Sequence, residues 1–291
     1  MNKLERTLRS PNTQEKGMLS IRSNIGSLDA QRNLNTSSSM LEQSQAKLSS
    51  GYRITKAGDD AAGLGISSNL EAQIRSYDQA GRNAADAQSL IQTAEGALNQ
   101  TTALLTRMRE LAMQSASSGV GNTERGYIQT ENASILTEID RIANSTEYNG
   151  QALLNSTATT LTFQVGIRNV AANDQIAITT VDATAATMGV NGVDLSTQAG
   201  AQGALSTIDA AIQAVSGSRA SLGAAGNRFD SVSQTIQVDS EDLSAADSRI
   251  KDVDVAAESS RMARTNVLMQ AGVSVLAQAN QAPQLALKLL Q

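Results

Sequence analysis

The chain has 291 residues and a net charge of −5, and 40% of it is hydrophobic although only 2% is aromatic. It has no histidine and no cysteine, which excludes disulfides, thiolate chemistry, Cys/His zinc sites and any Ser-His-Asp arrangement. Its acidic balance excludes the basic footprint of a nucleic-acid binder, no apolar run is long enough to cross a membrane as a helix, and no pattern asks for a metal or cofactor.

Residues 1–17 are polar, carry Pro11 and Gly17, and show no apolar period, so they read as a disordered extension. They also lack the apolar centre of a secretory signal peptide. A helix is expected over 18–50. Ile21, Ile25 and Leu28 sit at helical spacing, and Leu34, Leu41 and Leu48 continue in sevens. Asn35 to Ser39 are weak helix formers, so this helix needs partners. Gly51 suits the residue just past its end. Residues 51–65 read as a connector, in which Asp59 or Asp60 can cap the next helix. Gly63-Leu64-Gly65 fits neither glycine-rich phosphate-loop template.

From Asp60 to Ser115 runs the stretch that organises the chain. Leu70, Tyr77, Ala84, Ile91, Leu98, Leu105 and Ala112 stand seven apart, and Ala80, Ala87, Ala94 and Met108 follow three places on. Such a repeat predicts a helix about 84 Å long that packs along one seam. A glycine-rich turn at 117–121 returns the chain into a shorter antiparallel helix, with Ile128, Ile135, Ile139 and Ile142 on one face. Together these make one half of a helical rod, residues 66–145.

Over 146–202 the period drops to two. Leu161, Phe163 and Val165, then Ile176 and Ile178, alternate with polar residues and predict one β-hairpin followed by loop. The other half of the rod, 203–253, carries Ile208, Val215, Leu222, Phe229, Ile236, Leu243 and Ile250 in sevens, which predicts a left-handed supercoil. Residues 239–258 hold seven acidic side chains against Arg249 and Lys251. They lack the spacing of a calcium loop and read as a solvated or subunit-facing surface. The last segment, 254–291, is apolar at Met262, Val267, Leu268, Ala271, Val275 and Leu276 until Pro283 ends the pattern. The fold class is therefore mainly α: a long antiparallel coiled-coil rod from both chain ends with a small central β-hairpin region. The stripes of the first and last helices are too long for a lone monomer, so they need each other or a neighbour.

Several literal stretches carry a family resemblance. They are Ile21-Arg22-Ser23-Asn24-Ile25, Ala30-Gln31-Arg32-Asn33-Leu34, Leu48 to Ile54, Asp59-Asp60-Ala61-Ala62-Gly63, Arg107 to Gln114, Tyr148-Asn149-Gly150, Asp252-Val253-Asp254 and Ala271 to Asn280. In this order they resemble bacterial flagellin from about residue 20 to the end. The resemblance implies a secreted structural protein and no enzyme. Such a subunit leaves through the flagellar type III apparatus and polymerises beneath a cap protein into the filament used for swimming. It implies inner-tube assembly helices at 18–50 and 254–291, with Leu34, Leu41, Leu48, Met262, Leu268, Val275 and Leu276 at the assembly interface. It further implies partners: other copies of the chain, an export chaperone at the C-terminal tail, the cap and hook–filament junction proteins, and an animal innate-immune receptor contacting Arg107, Leu111 and Glu131. The short middle implies a slim filament without large outer domains. Met18 stands where the family's chains start, so the working protein is expected to begin near it. Residues 1–17 would then come from a misplaced start, an engineered addition or a processed leader, the alternative being a genuine extension that serves as an export address. Two other readings share the helical plan: a hook–filament junction protein, and a soluble chemoreceptor-like signalling hairpin. The Asp59 to Gly63 run favours the filament subunit over the first, and the β alternation and apolar tail favour it over the second. The Asn-x-Ser/Thr triplets at Asn35, Asn99, Asn132, Asn144 and Asn155 read as chance in a chain this rich in those residues.

Overall fold

The computed structural model describes residues 23–155 and 159–288, with side chains to Gln281. The extension 1–17, with Met18, Ile21, Leu289 and Leu290, lies outside the described residues, as do the side chains of Leu285 and Leu287. In chain order the elements are α1 (Ile25–Ser50), α2 (Ala61–Ser115), α3 (Asn122–Ser145), β1 (Glu147–Tyr148), β2 (Gln151–Ala152), β3 (Thr160–Gln164), α4 (Ala171–Asp174), β4 (Gln175–Thr179), α5 (Gln198–Lys251) and α6 (Val255–Lys288). The described residues form two compact units, one of the chain up to Ser67 with the chain from Ser248 on, the other Ser68–Asp247.

In the central unit the seven-residue repeats of α2 and α5 become the core. Ala84, Ile91, Leu98, Leu105 and Ala112 are buried with Ile208, Val215, Leu222, Phe229 and Ile236. Helix α3 adds Ile128, Ile135 and Ile139. Phe163 of β3 meets Phe229 edge to face at 5.7 Å, so two of the six aromatic residues fill one point of an otherwise aliphatic core. The turn between α2 and α3 is held by Arg125. Its buried guanidinium donates to the carbonyls of Ser115 and Ser117, each at 2.9 Å, and to Asn122 Oδ1 at 3.1 Å. Ser115 is the last residue of α2, and its carbonyl has no helical N–H to accept from.

Four expectations are corrected. Helix α2 spans Ala61–Ser115, as the Asp60–Ser115 repeat predicts, so the connector ends at Asp60 rather than at residue 65; Asp60 caps the helix by accepting from Gly63 N at 2.8 Å. Helix α5 starts at Gln198 and stops at Lys251; Thr197 Oγ1 accepts from Gly200 N at 3.1 Å, a start signal hidden in a small-residue segment. There are two hairpins among the described residues. One is β3–β4, with Leu161 opposite Ile178 and Phe163 opposite Ile176; the other is β1–β2, closed by Asn149 and Gly150 at φ 52° and 76°, a turn that needs positive φ at both positions. Lastly, α6 continues through Pro283 to Lys288.

Candidate assembly interface

Two chain ends meet in one antiparallel helix pair. On α1 the inward positions are Ser27, Ala30, Leu34, Ser37, Leu41, Ser44 and Leu48, alternately three and four apart. On α6 they are Glu258, Met262, Thr265, Met269, Gly272, Leu276 and Ala279, spaced the same way. This is the seam of a two-helix coiled coil. It is unusually rich in small and polar residues, so the backbones come close. A Cβ on Gly272 would stand 3.4 Å from Leu34 Cδ1. Polar links mark the length of the pair: Asn24 Nδ2 donates to Ala279 O at 2.7 Å, Ser27 Oγ bonds Asn280 Oδ1 at 2.8 Å, and Ser44 Oγ donates to Glu258 Oε1 at 2.6 Å. Arg261 Nη1 donates to the other oxygen of Glu258 at 3.1 Å.

The sequence-expected interface residues divide between two faces. Leu34, Leu41, Leu48, Met262 and Leu276 are half-buried within this pair. Leu268 and Val275 are 53% and 55% exposed. Each stands one residue before a seam position, Met269 and Leu276, and so about 100° round the helix. Val255, Val267 and Val273 of α6 and Ile25, Leu28 and Met40 of α1 are exposed as well. The pair thus satisfies one stripe of α6 and leaves others bare. Sequence spacing alone merged the two stripes because α6 is apolar on several faces.

A clasp closes the other end of the pair. Gly51, at φ 76°, ends α1 and donates to Lys47 O. The chain then runs antiparallel to residues 251–253: Arg53 N donates to Lys251 O at 2.6 Å and Val253 N to Gly51 O at 2.9 Å. The Arg53 guanidinium donates to Ile250 O, and the Lys251 ammonium sits 4.4 Å from the Tyr52 ring centroid. The last carbonyls of α5 are thereby satisfied by the residues that follow α1. Asp254 caps α6, its carboxylate accepting from Ala256 N and Ala257 N at 3.0 and 3.1 Å. Asp59 accepts from Thr55 N, Thr55 Oγ1 and Lys56 N; these bonds hold its carboxyl below the ordinary 3.8. The roles of the clasp, Asn24 and Ser44 escaped the sequence reading, and Glu258, expected on a solvated or subunit-facing acidic surface, is instead buried in the seam. Their signal was there: Ser44 falls in the seam spacing between Leu41 and Leu48, and Asn24 stands directly before the first helical period.

On the central unit, Arg107 pairs with Glu131 at 2.8 Å and with Glu110 at 3.1 Å, which raises its pKa further. Leu111 is only 2% exposed and belongs to the core. Asn132 is fully buried, donating to Val193 O at 3.2 Å, so its triplet offers no accessible acceptor.

The helix pair leaves apolar stripes exposed on both helices, the surface that a helical structural subunit would present to its neighbours. Residues 21–159 match the N-terminal helical region of bacterial flagellin and residues 205–290 its C-terminal helical region. A flagellin of Halalkalibacterium halodurans is 43% identical over 93% of this chain and 99% of its own. One of Bacillus subtilis is 40% identical over the same shares. A putative flagellar hook-associated protein from Vibrio parahaemolyticus shares the fold, with a TM-score of 0.57 and 16% identity over 67% of this chain and 100% of its own. The chain belongs to the bacterial flagellin family. It is a structural subunit of the extracellular flagellar filament, and not an enzyme.

Proposed function

We propose that α1 and α6 pair within each subunit of the filament and that the exposed stripe of α6 makes the subunit contact. The carrying observation is the split of the α6 apolar residues: Met262 and Leu276 are covered by α1, while Val267, Leu268 and Val275 are more than half exposed. Burying a Val or Leu side chain contributes about 1.5–3 kcal/mol, so a few such residues per subunit drive association. Copies of the same chain are the partner. Before assembly the same stripe is available to an export chaperone, and at the filament ends to the cap and the hook–filament junction proteins. The exposed Arg107–Glu131 pair is the part of the receptor-matching set that an outside protein can touch; Leu111 is buried in the core.

Removing residues 256–291 tests this reading. The central unit should keep its helical signal and cooperative melt, and seeded polymerisation should stop. Filaments of the truncated chain would overturn it.

A further inference from the structure

Helix α6 contains a proline well inside its length, and a residue from the other end of the chain repairs the defect. Pro283 has no amide hydrogen, so the carbonyl four residues earlier, on Ala279, receives no helical bond. A carbonyl in that position must find another donor or lose free energy. The donor is Asn24 Nδ2, at 2.7 Å. The same side chain caps α1 through its oxygen, which accepts from Ser27 N at 3.1 Å. One amide therefore serves both helices.

We infer that Asn24 sets the register of the α1–α6 pair by reading the carbonyl that Pro283 leaves open. The seam itself is a weak guide. Its residues are mostly small, repeat every seven, and would pack almost as well after a slip of one repeat. The carbonyls in the body of a helix are engaged by the amides four residues on, so an unclaimed one is a landmark. In α6 the proline creates that landmark at Ala279. A slip of seven residues toward the start of α6 would carry Asn24 to the carbonyl of Gly272, already in use within the helix, and leave Ala279 unpaired. Polar groups buried in coiled-coil seams fix register in this manner, at some cost in stability. Ser27 on Asn280 reinforces the same alignment. Asn24 is a positioning residue: the stripe presented for assembly stays in place relative to α1 because of it. The inference rests on the helix pair forming in the assembled protein, and its test reads the pair's alignment directly, whatever the subunit contact proves to be.

The chain has no cysteine, so an engineered pair reports alignment cleanly. Leu34→Cys with Gly272→Cys joins the aligned pair; Leu34→Cys with Thr265→Cys joins the pair slipped by seven toward the start of α6. Both are placed in the full chain, assembled by seeding, oxidised, and read as linked peptides by mass spectrometry. With Asn24 and Pro283 intact, the aligned link should dominate. Asn24→Asp keeps the cap acceptor but removes the donor, and should raise the slipped-to-aligned ratio about fivefold, equivalent to one net hydrogen bond of about 1 kcal/mol. Pro283→Ala restores the helical amide and should raise the ratio similarly. The double variant should match either single one, because both changes remove the same interaction. An Asn24→Asp ratio equal to that of the unaltered chain, or a double variant whose effect is the product of the two single effects, would overturn the inference.

Discussion

Ser44 and Glu258 meet inside the α1–α6 pair, hydroxyl to carboxylate at 2.6 Å, with both side chains buried although 214 residues separate them. A carboxylate in a seam is costly unless its oxygens are hydrogen-bonded. Here each has a donor, Ser44 on one and Arg261 on the other. Ser44→Ala would leave a buried acceptor open, a cost of about 1–3 kcal/mol. The critical concentration for seeded polymerisation should rise about tenfold. Adding Glu258→Gln should cost less than the sum of the two single changes; strict additivity would show that the two groups do not support each other.

The glycines at the start of α2 should respond in opposite directions. A Cβ on Gly63 would lie 2.8 Å from Ile54 Cδ1, and Ile54 is itself buried. Gly63→Ala should therefore destabilise the chain end by about 1–3 kcal/mol through overpacking. Two residues on, a Cβ on Gly65 meets nothing within 4 Å, so Gly65→Ala should stabilise by up to about 1 kcal/mol through helix propensity. Amide exchange of residues 54–67 distinguishes the two.

Much of this was legible in the sequence, and the failures have physical causes. The sevens from Ala84 to Ala112 and from Ile208 to Ile236 named the central seam because apolar residues mark it at every turn of the repeat. The α1–α6 seam was half hidden because Ser27, Ser44, Thr265 and Gly272 occupy it. The clasp was invisible because it is made by backbone groups of residues 51–53 and 250–253, which carry no periodic signal. Pro283 misled for a different reason: its effect on the helix is answered by Asn24, which no local pattern reveals.

Arg125 should be among the most sensitive positions of the central unit. Its three hydrogen bonds tie down the turn after α2, and Arg125→Ala would leave the buried Ser115 carbonyl without this donor, a cost of about 1–3 kcal/mol. Arg125→Lys should restore only part of this, because a single ammonium lacks the planar fork. Urea midpoints should fall in the order Arg, Lys, Ala.

Acid should loosen the 55–59 turn. The Asp59 carboxyl is held below its ordinary 3.8 by the Thr55 and Lys56 donors. A depressed folded pKa means the contribution is fully present above the unfolded value and is lost as pH falls through the folded one. The Thr55 and Lys56 amide resonances should therefore move together with a midpoint below 3.8, and Asp59→Asn should abolish that step.

The central claim, that the bare stripe of α6 joins one subunit to the next, is tested most directly by Leu268→Asp with Val275→Asp. Both side chains are more than half exposed, so the change spares the seam with α1. Seeded polymerisation followed by sedimentation and electron microscopy is the measurement. The variant should keep the melting temperature of the unaltered monomer and yield no filaments. Filaments at normal yield would contradict the account.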